Sequence, residues 1–238
     1  MLSTTGRVKG FSGRLVAYFC DRSVVRGVIG GKRVAIVGSG PGCLDNEPGF
    51  IDSHEVVVRI NNYKLFSQTG RRVDVYYSYF GGAIKKTRYQ LLDDGVKLCV
   101  AKCPNAQFMQ SAWHRKNRKL NGIDFRMIYE RRKGFWFCPT YVPTVEEFMS
   151  YFTLLGDHVP TTGFSALLDV LSCEPAEVFM TGFDFFDSGI HNVTERWRLQ
   201  NVDDPIGHVP ETERQWLAAH LSRYPITTDK RLTEALLR

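Results

Sequence analysis

Short apolar runs rich in valine and isoleucine recur along the chain with helix-like stretches between them, and this alternation restricts the fold more than any other feature. The runs are Val34 to Val37, Glu55 to Ile60, Val73 to Tyr79, Val96 to Ala101, Phe125 to Tyr129 and Val178 to Gly182. Helical spacing marks Ile84 to Leu92, Ala106 to Leu120, Thr144 to Leu155, Phe164 to Leu171 and Glu211 to Tyr224. Thr144 and Glu147, just after Pro143, make a capping-box pair at the start of one of them. Strands alternating with helices predict an α/β fold, a mostly parallel sheet flanked by helices, whose ligands sit at the carboxyl ends of its strands.

No repeat or long linker divides the 238 residues, so residues 33–238 are expected as a single domain behind an N-terminal extension, residues 1–32. With 43% apolar and 24% charged residues the chain can bury a sizeable core, which excludes disorder and a disulfide-dependent miniprotein. A net charge of +6 favours anionic partners without choosing among them. No apolar stretch approaches the roughly 20 residues of a membrane span. The run Leu15 to Cys20, bracketed by Arg14 and Asp21, is too short and too charged for a signal peptide. The six cysteines are scattered, and Cys99 with Cys103 has no second pair or nearby histidine to complete a zinc set. Reduced, buried thiols of a cytoplasmic protein are expected.

Three loops carry chemistry. Gly38-Ser39-Gly40-Pro41-Gly42-Cys43 follows the first strand, where glycines let a backbone approach a phosphate and free amides can receive it. As a dinucleotide fingerprint it fails at Cys43, where a third glycine is needed, and at Pro41, which interrupts the helix start. The second strand ends Arg59-Ile60-Asn61, without the acidic residue that would hold a ribose diol. A tight turn that simply needs glycine explains the same loop. Pro160-Thr161-Thr162-Gly163 enters a helix and makes either an anion site or an ordinary N-cap. In Gly207-His208-Val209-Pro210, the proline suits the first helical turn and puts His208 just before the positive helix end, which favours a neutral, proton-accepting imidazole. Glu213 can orient a group at that end or offset the dipole, and His191 lies in a polar loop after the strand ending Gly182-Phe183-Asp184.

In this order the segments resemble the sialyltransferases, both the eukaryotic-type glycosyltransferase family 29 and the bacterial family 42. Val34 to Asn61 is similar to the family's long motif, Pro160 to Phe185 to its short motif, His191 to its third and His208 with Glu213 to its last. The resemblance covers about three quarters of the chain. It implies a single-domain GT-A-like variant sheet and an inverting, metal-independent transfer of sialic acid, or the related ulosonic acid Kdo, from a CMP-sugar to a glycan or glycolipid hydroxyl. The CMP-sugar is a substrate, and no cofactor is implied. The absence of any Asp-x-Asp string agrees with the metal-free expectation. The implied donor-binding residues are Gly38, Ser39, Gly40, Asn61, Ser78, Thr161, Thr162, Gly163, Asp184 and Phe186; His208 is the implied base, His191 the donor to the leaving phosphate and Glu213 an orienting residue.

Departures are informative. Ser39 stands where the family often has asparagine, and Phe186 where the bacterial family has a tyrosine, which makes His191 the substitute. Cys173 matches one half of the eukaryotic disulfide, but the other half is Val34, so the bridge cannot form. That absence and the missing anchor point to a bacterial-type cytoplasmic enzyme. The basic runs His114 to Lys119 and Arg131 to Lys133 offer a peripheral membrane contact, a site for a phosphorylated glycolipid or a solvated helix face. Competing classes are an NADP-dependent oxidoreductase, with Arg59 on a 2′-phosphate, and a nucleic-acid-binding module built on the basic run. Neither explains the four ordered motifs, and no nucleic-acid partner is expected.

Overall fold

The computed structural model describes residues 19–80, 86–104, 138–188, 190–191, 195–196 and 208–238. The expected strand Phe125 to Tyr129, the expected helix Ala106 to Leu120 and both basic runs lie outside them. In chain order the elements are α1 (Arg22–Ile29), β1 (Arg33–Val37), β2 (Val56–Ile60), β3 (Val75–Ser78), α2 (Arg88–Asp93), β4 (Leu98–Ala101), β5 (Thr140–Tyr141), α3 (Val145–Leu154), α4 (Thr162–Leu171), β6 (Glu177–Thr181), β7 (Ile190–His191), β8 (Glu195–Arg196), α5 (Pro210–His220), β9 (Ile226–Thr228) and α6 (Lys230–Leu236).

Among the described residues seven strands form one sheet in the order β5-β4-β3-β2-β1-β6-β9, every neighbouring pair parallel. β7 and β8 make a separate antiparallel pair. The valine-rich strands are buried on both faces, as crossover helices require of a parallel sheet. Val34, Ile36, Val58, Tyr77 and Val100 pack with residues of α1, α4 and α5 on one face. Ala35, Val37, Val57 and Phe179 pack on the other. Strand order reverses at β1, from which the chain runs outward to β5 on one side and through β6 to β9 on the other. A crevice therefore opens beyond the carboxyl ends of β1 and β6, the place where ligands bind in open α/β sheets.

Local rules account for the helix starts. Thr144 Oγ1 accepts from the Glu147 amide at 3.1 Å and the Glu147 carboxylate accepts from the Thr144 amide at 2.6 Å, the expected capping box. A second box, Thr87 with Gln90, starts α2. On α4 the buried Asp169 accepts from the Arg22 guanidinium and the Tyr151 hydroxyl, both at 2.6 Å, and from the Tyr77 hydroxyl. One carboxylate thus ties α1, α3, α4 and β3 together, its burial offset by charge-assisted bonds. Val25 and Ile29 are buried in the same core, so the described part of residues 1–32 packs as an integral piece of the fold. All six cysteines are free thiols, five of them buried, and burial pushes Cys43 and Cys103 up to about 12. Among the described residues no helix is long and apolar enough to cross a membrane.

Candidate functional site

The loop after β1 is built by a close crossing of two strand ends. The Gly38 amide donates to the Thr181 carbonyl and the Gly40 amide to the Gly182 carbonyl, each at 2.8 Å. A Cβ on Gly38 would lie 2.3 Å from the Gly182 oxygen, and one on Gly40 2.8 Å from it. These glycines are therefore required by the approach of β6, and their amides are consumed within the protein. This corrects the expectation that the amides of Gly38 to Gly40 together receive an anion. Ser39, half-buried between them, keeps its amide and hydroxyl without partners among the described residues. Pro41 opens only a four-residue 3-10 turn, Pro41–Leu44, as its ring and the failed fingerprint foretold.

Register places the next groups. Val37 pairs with Arg59 and Ile60 with Tyr77, so two residues beyond β1 stands Ser39, level with Asn61 on the β2 side and with Ser78 beyond it. Asn61 has φ +50°, a left-handed conformation that asparagine tolerates better than most residues. Its Oδ1 accepts from the Ser78 hydroxyl at 3.1 Å and from the Tyr79 amide at 3.4 Å. The Tyr79 N–H can only donate, which assigns the oxygen to that side and turns the Asn61 amino group away as a donor. Phe80, Phe185 and Phe186 also have positive φ and, with Asn61, follow β2, β3 and β6, so four of the six such non-glycine residues described lie on the loops at this edge of the sheet, the others being Asp157 and Glu174 after α3 and α4.

Thr161 is the N-cap of α4, its Oγ1 accepting from the Phe164 amide at 3.1 Å. Its own amide and hydroxyl donate to the two oxygens of Glu213, the latter bond at 2.8 Å. Thr161 therefore serves the fold, while the Thr162 and Gly163 amides and the Thr162 hydroxyl have no partner among the described residues. They are the first two N–H groups of a ten-residue helix, the ordinary binding place for an anion. A Cβ on Gly163 would lie 2.4 Å from the Phe183 ring, and one on Gly38 3.2 Å from the same ring. The β1 loop and the α4 start thus meet across Phe183.

The last motif closes on the same helix end. Pro210 is the first residue of α5, and His208 precedes its N-cap, Val209. His208 Nδ1 lies 2.8 Å from the Val159 carbonyl, so it carries the proton and Nε2 is the basic nitrogen. Glu213 orients Thr161 rather than the histidine. Burial pushes its carboxyl up to about 7 against the opposing pull of the Thr161 bonds and of Lys102. Asp184 accepts from the Phe186 amide at 3.1 Å and from Ser188, and so folds the turn after β6. His191 falls on β7, whose side chains lie outside the described residues.

Two residues escaped the sequence reading. Asp229, 7% exposed, caps α6 through the Leu232 amide and accepts from the Gly182 amide, both at 2.8 Å, which fixes the bend against Gly38. Its signal was a Thr-Thr-Asp string before a helical stretch. Lys102, a charge set immediately after the apolar run Leu98 to Ala101, is the other. Arg59 does not reach the crevice. It is fully buried, bonded to the Arg72 carbonyl at 2.8 Å and the Thr69 carbonyl at 2.5 Å, so the oxidoreductase reading loses its phosphate-binding arginine.

No family model and no curated protein sequence matches the chain. Solved structures do. The sialyltransferase CstII from Campylobacter jejuni in complex with CMP-3FNeuAc superposes with a TM-score of 0.55 at 14% identity, covering 83% of this chain and 81% of that one. A mammalian sialyltransferase in complex with Gal-beta-1-3GalNAc-ortho-nitrophenol gives 0.55 at 16% identity over 90% of this chain and 75% of that one. CST-II with a trisaccharide acceptor and CMP gives 0.54 at 13% identity over 83% and 80%. The fold is that of the sialyltransferases, a single mostly parallel α/β sheet flanked by helices.

Proposed function

We propose that the protein is an inverting, metal-independent glycosyltransferase that moves an acidic ulosonic sugar, sialic acid or Kdo, from a CMP donor to a glycan hydroxyl. The observation that carries this reading is the meeting at the switch point of four donor sets without partners among the described residues: Ser39, the Asn61 amino group, the amide and hydroxyl of Thr162, and the Gly163 amide. A donor of this class brings two anions, the phosphate and the carboxylate beside the reacting carbon. A helix start and preorganised N–H groups stabilise such charge, most of all as it builds on the leaving phosphate.

The chemistry is a single displacement. The acceptor oxygen bonds to the anomeric carbon as the bond from that carbon to the phosphate oxygen breaks, CMP departs with the electron pair, and the acceptor proton passes to His208 Nε2. Attack opposite the leaving group inverts the centre. The Val159 carbonyl holds the His208 tautomer that this step needs. The neighbours crystallised with CMP, a CMP-sugar analogue or glycans support the substrate class. The discriminating assay is CMP release from CMP-sialic acid and CMP-Kdo with a glycan acceptor in EDTA. Acceptor-dependent release from one of them is expected, and strict dependence on manganese would refute the metal-free mechanism.

A further inference from the structure

Lys102 stands one residue past β4, and its amide donates to the Ser78 carbonyl at 2.8 Å, so the strand pairing continues through it. Side chains alternate along a strand. Leu98 and Val100 face α4 and α5, and Lys102 shares their side. The residue is 3% exposed. Glu213 on α5 is near enough for each charge to act on the other, yet both Glu213 oxygens are occupied by Thr161. Among the described residues the Lys102 ammonium makes no hydrogen bond or ion pair.

A lysine this deeply set, with its ammonium unpaired, opposes folding, so such a group persists where something outside the fold completes it. Burial, the largest influence, brings the Lys102 amine down to about 8, while Cys103 and Glu213 pull it upward. Its position is one strand beyond the Asn61 and Ser78 pair and on the face of the α4 start. We propose that Lys102 binds an oxyanion of the donor, its ammonium bonding a phosphate or carboxylate oxygen in the crevice. The assignment rests on the reading that this crevice takes a CMP-linked acidic sugar. In it Glu213 holds Thr161 at the helix cap and, above about pH 7 where its carboxyl is ionised, favours the protonated form of Lys102.

The test is calorimetric titration of the full chain and of Lys102→Met with cytidine, CMP and a non-transferable CMP-linked acidic sugar. If the partner is the phosphate, Lys102→Met weakens CMP at least tenfold and leaves cytidine unchanged. A carboxylate partner leaves CMP unchanged as well and removes at least tenfold from the sugar nucleotide alone. Unchanged affinity for all three ligands overturns the assignment. Should Lys102→Met fail to fold by circular dichroism, Lys102→Gln, which keeps a donor without the charge, replaces it. Failure of both marks a residue of the fold and equally overturns the assignment. Wild-type protein that binds no CMP instead refutes the donor reading beneath it.

Discussion

Gly38→Ala separates a glycine kept for a ligand from one kept for packing. The added methyl would meet the Gly182 carbonyl oxygen at 2.3 Å, a backbone atom that cannot rotate aside. Relief needs the ends of β1 and β6 to part by roughly 0.7 to 1 Å, since overpacked methyl groups are accommodated by backbone shifts. Parting them lengthens the bonds from Gly38 to Thr181 and from Gly40 to Gly182, both 2.8 Å. Two weakened hydrogen bonds at about 1 kcal/mol each and overpacking of about 1 to 3 kcal/mol give a loss of about 3 to 5 kcal/mol. The lower unfolded-state entropy of alanine returns less than about 1 kcal/mol of it. For a chain of this size the melting temperature should fall by roughly 6 to 15 °C. Gly27→Ala is the control, because a Cβ there meets nothing within 4 Å and its site in α1 should gain about 0.5 to 1 kcal/mol. Differential scanning calorimetry of both variants decides the matter. A Gly38→Ala protein melting within about 2 °C of wild type would refute the packing argument.

Glu213 retains a proton in the fold, where its value is about 7, that the unfolded chain loses near 4.5. Stability therefore falls as pH rises between those values, and Glu213→Gln should remove up to about 3 kcal/mol of that fall in urea titrations at pH 5 and pH 7.5; a pH-independent difference between the proteins would contradict it. Asn61→Asp replaces the outward amino donor with an acceptor and should weaken CMP binding about tenfold or more, with the loss read by calorimetry and little change in melting. Asp229→Ala strips the α6 cap and the acceptor of the Gly182 amide, costing about 2 to 4 kcal/mol in chemical denaturation. His208→Ala should lower kcat for transfer by about 10²- to 10⁴-fold while CMP affinity stays near wild type.

What the chain disclosed in advance was what local chemistry determines. Valine-rich runs marked β1, β2, β3, β4 and β6, Thr144 with Glu147 marked a helix start, and Pro41 marked the place where no long helix could follow β1. The two-residue β5 and three-residue β9 carry too little periodicity to be seen, and both exist through pairing with neighbours distant in the chain. The same non-locality misdirected the Gly38 and Gly40 amides, since nothing near them announces that Thr181 and Gly182 will take their hydrogens. Thr161 and Thr162 are alike in sequence, and only the fold shows that the first caps α4, held by Glu213 from α5, and that the second is left open. Lys102 was missed because its burial depends on which face of the sheet α5 covers.

Calorimetric titration of wild-type protein with CMP in EDTA, beside UMP and NADP, shows whether the crevice takes a cytidine nucleotide without metal. One CMP site per chain is expected, with no comparable heat from UMP or NADP and at least a tenfold loss of CMP affinity in Thr162→Ala, whose fold should be intact because Thr161 remains the cap. Absence of CMP binding, or undiminished binding in Thr162→Ala, would contradict that expectation.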